Sequence, residues 1–104
     1  MINKTDFYID GKWVAPQQGT PLEVIDPSTE EAFATISLGG EADTNAAVAA
    51  AKRAFPAWAK TPPKERLEVV KKIRDIYKRR IDDMAATISQ EMGAPIDMSK
   101  QQQA

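Results

Sequence analysis

The apolar residues change period at Gly39-Gly40, and that change divides the chain into two parts that must fold by different rules. Before it, short apolar runs alternate sides with a period of two, as half-buried strands do. After it, apolar residues return every three or four positions, as on the buried stripe of a helix. Gly39-Gly40 itself reads as the turn between them. A chain patterned this way must combine sheet and helix.

The first part carries two hairpin signals. In FYIDGKWV, two runs rich in aromatic and β-branched residues flank Asp10-Gly11, a dipeptide that tolerates the positive φ angles of a tight turn. Pro16 and Gly19 mark a loop in APQQGTP. A second hairpin follows, with strands at Leu22–Ile25 and Ala32–Ser37 around Asp26-Pro27-Ser28-Thr29. Pro27 suits the second position of a type I turn, and Asp26 can hold that turn through its own carboxylate. In the return strand, Phe33 and Thr35 face one way and Ala34 and Ile36 the other. Four short strands are expected over residues 1–38.

The second part predicts a helix over 41–59, with Thr44, Val48, Ala51, Phe55 and Trp58 on its apolar stripe. Asp43 falls in the first turn and Lys52 and Arg53 near the end, both favoured by the helix dipole. Pro56 has no N–H to give the ladder, so the helix is expected to stop or kink near Ala54–Phe55. TPPKER opens the next helix, with Thr61 as N-cap and Pro62 at the first helical position. Leu67, Val70, Ile73, Tyr77, Ile81, Met84, Ile88 and Met92 continue one stripe over 61–93, closed by Gly93 and Pro95. Read as one helix it would be about 30 residues long, beyond most globular helices. A break near Arg79–Asp82 into two is equally compatible. The ending PIDMSKQQQA opens a further helix over 96–104 and offers no Gly, cap or apolar turn to close it. The expectation is a truncated helix in a chain whose parent continues.

Composition removes whole classes of chemistry. The 104 residues contain no Cys and no His, which excludes disulfides, thiolate nucleophiles, imidazole acid–base work and the usual zinc sites. The net charge is −1, from 14 basic and 15 acidic residues, so no long-range field draws the chain to nucleic acid or an anionic membrane. No apolar run approaches membrane-spanning length. The N-terminus lacks the apolar core and cleavage site of a secretory signal. A cytoplasmic protein is expected.

The remaining candidate sites all have structural explanations. Lys78-Arg79-Arg80 lies late in a helix that carries Glu65 and Glu68 early, which complements the dipole. Glu68 with Lys72, and Asp75 with Arg79, are favourable i,i+4 pairs. No aromatics interleave with these cations as base stacking would need. The neighbouring carboxylates Asp82-Asp83 and Glu30-Glu31 diverge on either a helix or a strand, so neither pair is an acid–base dyad. Gly39-Gly40-Glu41-Ala42-Asp43 lacks the third Gly of a dinucleotide fingerprint, and its acids would repel phosphate. Trp13, Phe55 and Trp58 are expected in the core rather than around a ligand. No Ser or Thr has a partner base.

The order of the segments carries more than any one of them. FYIDGKWV, VIDPSTEEAFATI, EADTNAAVAAAKRAFPAWAKTPPKERLEVVKKI and ISQEMGAPI together resemble the N-terminal region of the NAD(P)-dependent aldehyde dehydrogenase superfamily. Members show a hairpin close to F-I-N-G-x-W, an N-P-x-T-G-E turn, an A-V-x-A-A-x-x-A-F-x-x-W helix, an arginine-led helix and E-x-G-K-P. The resemblance covers nearly the whole chain. It implies an α/β parent in which two hairpins and two to three helices form the first part of a Rossmann-like cofactor-binding domain. It implies oxidation of aldehydes to carboxylic acids with NAD or NADP, by a homodimer or homotetramer. It places the nucleophilic Cys, the Glu that activates water, the Asn that binds the oxyanion and the nucleotide-binding turn all downstream of Ala104. This chain alone is then expected to bind no cofactor and to catalyse nothing.

The resemblance implies one site that reaches into these residues. Many members hold a monovalent cation with two backbone carbonyls before the N-P turn and an acid two places before the G-K-P glycine. In this chain those positions are Val24, Ile25 and Glu91, oxygen donors suited to a hard cation, with a further ligand implied outside these residues. A structural role for Glu91 at a helix end is the equal alternative. The chain departs from the pattern at Asp26, where the family has Asn, and at Ala94, where it has Lys. The competing expectation, from a different class, is a complete non-catalytic α+β module that binds a protein partner through its helix faces or hairpin edges.

Overall fold

A computed structural model describes all residues, 1–104, as five strands followed by four helices. The residues group into two units. The first comprises Met1–Ile25 and Ala32–Lys60, the second Asp26–Glu31 and Thr61–Ala104.

In the first unit, β2 (Phe7–Ile9) and β3 (Lys12–Val14) form an antiparallel hairpin with Phe7 opposite Val14 and Tyr8 opposite Trp13. Asp10 and Gly11 take φ angles of 56° and 75°, the left-handed pair that a two-residue hairpin turn requires. The Tyr8 and Trp13 rings meet edge to face with centroids 5.1 Å apart. A strand that the pattern does not announce, β1 (Ile2–Lys4), runs parallel to β5 (Glu31–Leu38), with Ile2 opposite Ala34 and Lys4 opposite Ile36. The sheet order is β1-β5-β4, with β4 spanning Thr20–Asp26. There are thus five strands rather than four, and β5 is central. Three residues around Asn3 are too few for periodicity to register. The Ser37 hydroxyl donates to the Thr5 carbonyl at 2.8 Å and fastens the chain just beyond β1. Ala34, at the middle of β5, is 7% exposed.

Helix α1 runs from Glu41 to Lys60, through Pro56, and does not stop at 54–55. Pro56 leaves the Lys52 carbonyl without its ladder donor. Only one turn follows it, however, and for that turn Pro56 serves as an opening residue of preset φ.

In the second unit the long stripe resolves into α2 (Pro63–Arg79) and α3 (Ile81–Met92), broken at Arg80. The Arg80 N–H bonds to the Tyr77 carbonyl at 2.9 Å, an i→i−3 closure that ends α2 while the next residue starts α3. The α2 cap lies one residue later than expected. Pro62 holds the extended cap conformation and Pro63 the first helical position, and the Pro62 carbonyl accepts from Glu65 and Arg66. The expected i,i+4 ion pairs give way to nearer partners, Glu68 with Lys71 at 3.2 Å and Asp75 with Arg74 at 3.0 Å. All four side chains are more than 40% exposed, so these bonds contribute little.

Helix α4 (Ile96–Gln103) packs on α3, and Ala85 and Ser99 are fully buried. Small side chains allow that close approach, at a cost: the Ser99 hydroxyl has no hydrogen-bond partner. The Tyr77 hydroxyl donates to the Gln103 side chain and joins α2 to the end of α4.

The hairpin tip and the end of α3 meet within this unit. The Asp26 carboxylate accepts from the Ser28 N–H at 2.8 Å and the Ser28 hydroxyl at 2.6 Å. Those bonds, the hydroxyl's first, hold the Asp26 carboxyl below the usual carboxylate range. The Glu30 N–H then closes the loop on the Asp26 carbonyl at 2.8 Å, which puts Glu30 at φ 60°. Gly93 ends α3 at φ 74°, and a Cβ built there would lie 3.1 Å from Pro27 Cγ.

Two substitutions at these left-handed residues have opposite expected signs. Gly93→Ala loses about 1–2 kcal/mol from backbone strain alone, with the Pro27 contact adding to it. Glu30→Gly relieves the same strain, offset by the unfolded chain's extra freedom, and gains up to about 1 kcal/mol. Thermal melts followed by far-ultraviolet circular dichroism measure both. Ser99→Ala, which removes an unpaired buried hydroxyl, leaves the stability unchanged or raises it by about 1 kcal/mol.

Candidate functional site

The best-formed polar site in the chain is a clamp at the start of α1. The Asp43 carboxylate accepts backbone N–H bonds from Gln17 at 2.6 Å and from Gln18 and Gly40 at 3.1 Å each. The Gln18 side-chain carbonyl in turn accepts from the Ala42 N–H at 3.1 Å. Loop and helix start therefore satisfy each other's orphan donors. Asp43 is 6% exposed although charged. The Gln17 N–H, foremost, and those of Gly40 and Gln18 hold its carboxyl below the usual carboxylate range, against burial that pushes it up. Every acceptor is engaged by the backbone, so the clamp positions rather than reacts. Sequence reading placed Asp43 by the helix dipole alone. The available signal was its spacing of three from Gly40, the reach of a capping side chain.

Elsewhere, large apolar side chains lie open among the charged ones. On α1, the stripe residues Val48, Phe55 and Trp58 are 52%, 66% and 44% exposed, and Trp13 is 68% exposed. The aromatic residues expected in the core are therefore outside it. The side of α1 that is covered carries Asp43 and Ala50. Between that side and the β2–β3 turn lies a cleft of about 470 Å³, lined by Tyr8, Ile9, Gly11, Ala47, Ala50 and Ala54.

In the second unit, Leu67, Val70 and Ile73 of α2 are 51%, 55% and 62% exposed. Between α2 and α3 lies a groove of about 420 Å³, with Ile73, Ile76, Tyr77 and Met84 as its apolar walls. Arg80 and Asp83 at its rim pair with each other at 3.8 Å. The total accessible surface is 8159 Å². Two separate compact bodies of half this mass would together expose about 7,000 Å².

The residues implied as cation ligands lie on different elements. Val24 is half-buried and Ile25 exposed on β4, while Glu91 is exposed in the last turn of α3. No group of three or more His, Cys, Asp or Glu side chains is gathered to hold a metal ion. No helix is long and apolar enough to cross a membrane.

Comparison with known proteins gives this geometry a context. The model of the aldehyde dehydrogenase family matches residues 13–104. A 3-succinoylsemialdehyde-pyridine dehydrogenase of a Pseudomonas species is 43% identical over 96 residues, 92% of this chain and 20% of the relative. Among solved structures, an aldehyde dehydrogenase from Bartonella henselae superimposes with a TM-score of 0.94 at 56% identity, over 97% of this chain and 21% of that one. A cysteine-to-alanine mutant of aldehyde dehydrogenase C from Pseudomonas syringae, crystallised with NAD+ and octanal, gives a TM-score of 0.90 at 41% identity, over 92% and 20%. The chain thus spans about a fifth of the length of the relatives it matches.

The clamp makes acid sensitivity testable. Because the folded Asp43 carboxyl titrates below its unfolded value near 3.8, its contribution is complete above that pH and is lost as pH falls through the lower, folded value. Asp43→Asn is expected to lower the melting temperature at pH 7 and to flatten its fall below pH 4, as measured by melts across that range.

Proposed function

This chain belongs to the aldehyde dehydrogenase family, and from that membership we propose that it is the N-terminal scaffold of an enzyme that oxidises aldehydes to carboxylic acids with NAD or NADP. Its α/β fold matches the N-terminal part of the family's NAD-binding domain. The observation that carries the proposal is the match over 13–104 to a family whose members are about five times longer, in a chain without Cys or His. In this reading the atoms that make and break bonds belong to later residues. The strands and helices seen here contribute shape: they bring apolar faces against which the rest of the domain packs.

Several finer points belong to the same proposal. The whole enzyme is a cytoplasmic homodimer or homotetramer that binds NAD or NADP, and the isolated chain binds neither. NAD is the cofactor held by the Pseudomonas syringae relative in its crystal, which supports this choice of cofactor class. A monovalent cation at the Val24 and Ile25 carbonyls and the Glu91 carboxylate is proposed for the whole enzyme only, on the resemblance of those positions. Glu91→Ala in that enzyme would then remove any dependence of its activity on potassium or sodium.

Inactivity of the isolated chain is the direct test. Purified material mixed with octanal and NAD should produce no NADH above the buffer rate. Sustained turnover by the 104 residues would contradict the scaffold reading.

A further inference from the structure

Resting on the reading just given, we infer that α2 is a docking element able to work between separate chains: the groove beside it binds the remaining four-fifths of an aldehyde dehydrogenase supplied as its own polypeptide. Three observations lead there. The walls of the groove are formed without it being filled. Tyr77 is tied to Gln103, Lys100 to Asp82 at 3.6 Å, and α3 ends on the Gly93 cap, while Ile73 and Ile76 stay 62% and 47% exposed. A site already shaped before binding loses less freedom when it is occupied.

The chemistry of the groove selects an apolar occupant. Its walls are Ile73, Ile76, Tyr77 and Met84, and its two charges, Arg80 and Asp83, already face each other. An ionic ligand would find no unpaired counter-charge there. A second copy of this chain fits poorly. Lys71 and Arg74, paired to Glu68 and Asp75, lie with Lys78 along the α2 face, and a symmetric pairing would set these charged side chains against their own copies. The solved relative that matches 97% of this chain uses only 21% of its own length to do so. The other four-fifths of such a chain is the occupant this inference assigns to the groove.

The experiment uses the Pseudomonas syringae relative, with its crystallised cysteine-to-alanine change reverted and its matching segment removed. In one arm the 104-residue chain is fused to that remainder, and in the other the two pieces are co-expressed separately. Co-elution and octanal-dependent NADH are read in both. The expected result is activity from the fusion, with co-elution and recovered activity from the two pieces. Ile73→Asp should weaken that association by about 100-fold or more, since it buries a charge against apolar walls. Asp75→Asn, about 200° round the same helix, should leave it unchanged. Should Ile73→Asp lose helix by circular dichroism, Ile73→Gln replaces it. An active fusion whose separate pieces neither associate nor turn over octanal overturns the docking inference and leaves the family role standing. An inactive fusion with no association overturns both. Association indifferent to either Ile73 variant overturns the assignment of the groove.

Discussion

Apolar surface without a covering layer is the constraint on which the rest of this structure depends. Burying a Leu, Ile or Phe side chain is worth about 1.5–3 kcal/mol, and a domain draws most of its stability from that source. Here the only buried apolar residues are Ala34, Ala50 and Ala85, the smallest available. Larger side chains that would supply the energy, among them Phe55, Trp58, Val70 and Ile73, lie on helix faces open to water. The amphipathic pattern is strong, yet the stripes of α1 and α2 lack their complement within the 104 residues.

What holds the elements in place is mostly polar, part of it local and part reaching across 24 to 32 residues of chain. The Asp43 carboxylate gathers three backbone N–H groups at the head of α1, and Gln18 returns one bond to the helix. The Ser37 hydroxyl fastens Thr5, next to β1. In the other unit the Asp26 loop, the Gly93 cap and the bond from the Ser89 hydroxyl to the Ala94 carbonyl at 2.7 Å fix where chain segments turn. Such bonds specify direction and register. Their net contribution is about 1 kcal/mol each, too little to replace a core. A chain built this way presents surfaces in defined positions, which is what a scaffold segment must do.

Legibility in the sequence followed the range of the interaction. Asp10-Gly11, Asp26-Pro27 and Gly93 were readable because turns and caps are decided within four or five residues. The helical stripes were readable because periodicity repeats over several turns. The parallel pairing of β1 with β5 was not, since Ile2 and Ala34 are far apart in sequence and three residues show no period. The extent of α1 was readable, expected over 41–59 and found over Glu41–Lys60; of the two outcomes offered at Pro56 the stop does not occur, because only a single turn follows it. Trp13, Phe55 and Trp58 were misplaced for a deeper reason: residue type favours burial of a side chain, but does not say whether these 104 residues supply the cover. The motif order carries the family, and the absence of Cys and His bounds the chemistry of these residues.

The account turns on whether the large apolar faces are open in the isolated chain, and its two tryptophans report on this directly. Trp13 and Trp58 are 68% and 44% exposed, one in the hairpin and one on α1. Acrylamide quenching of their emission in the purified 104-residue chain should proceed nearly as fast as for a free indole, with an emission maximum typical of water. Shielded, blue-shifted emission from that same chain would contradict the account, because it would mean that the 104 residues cover these faces unaided.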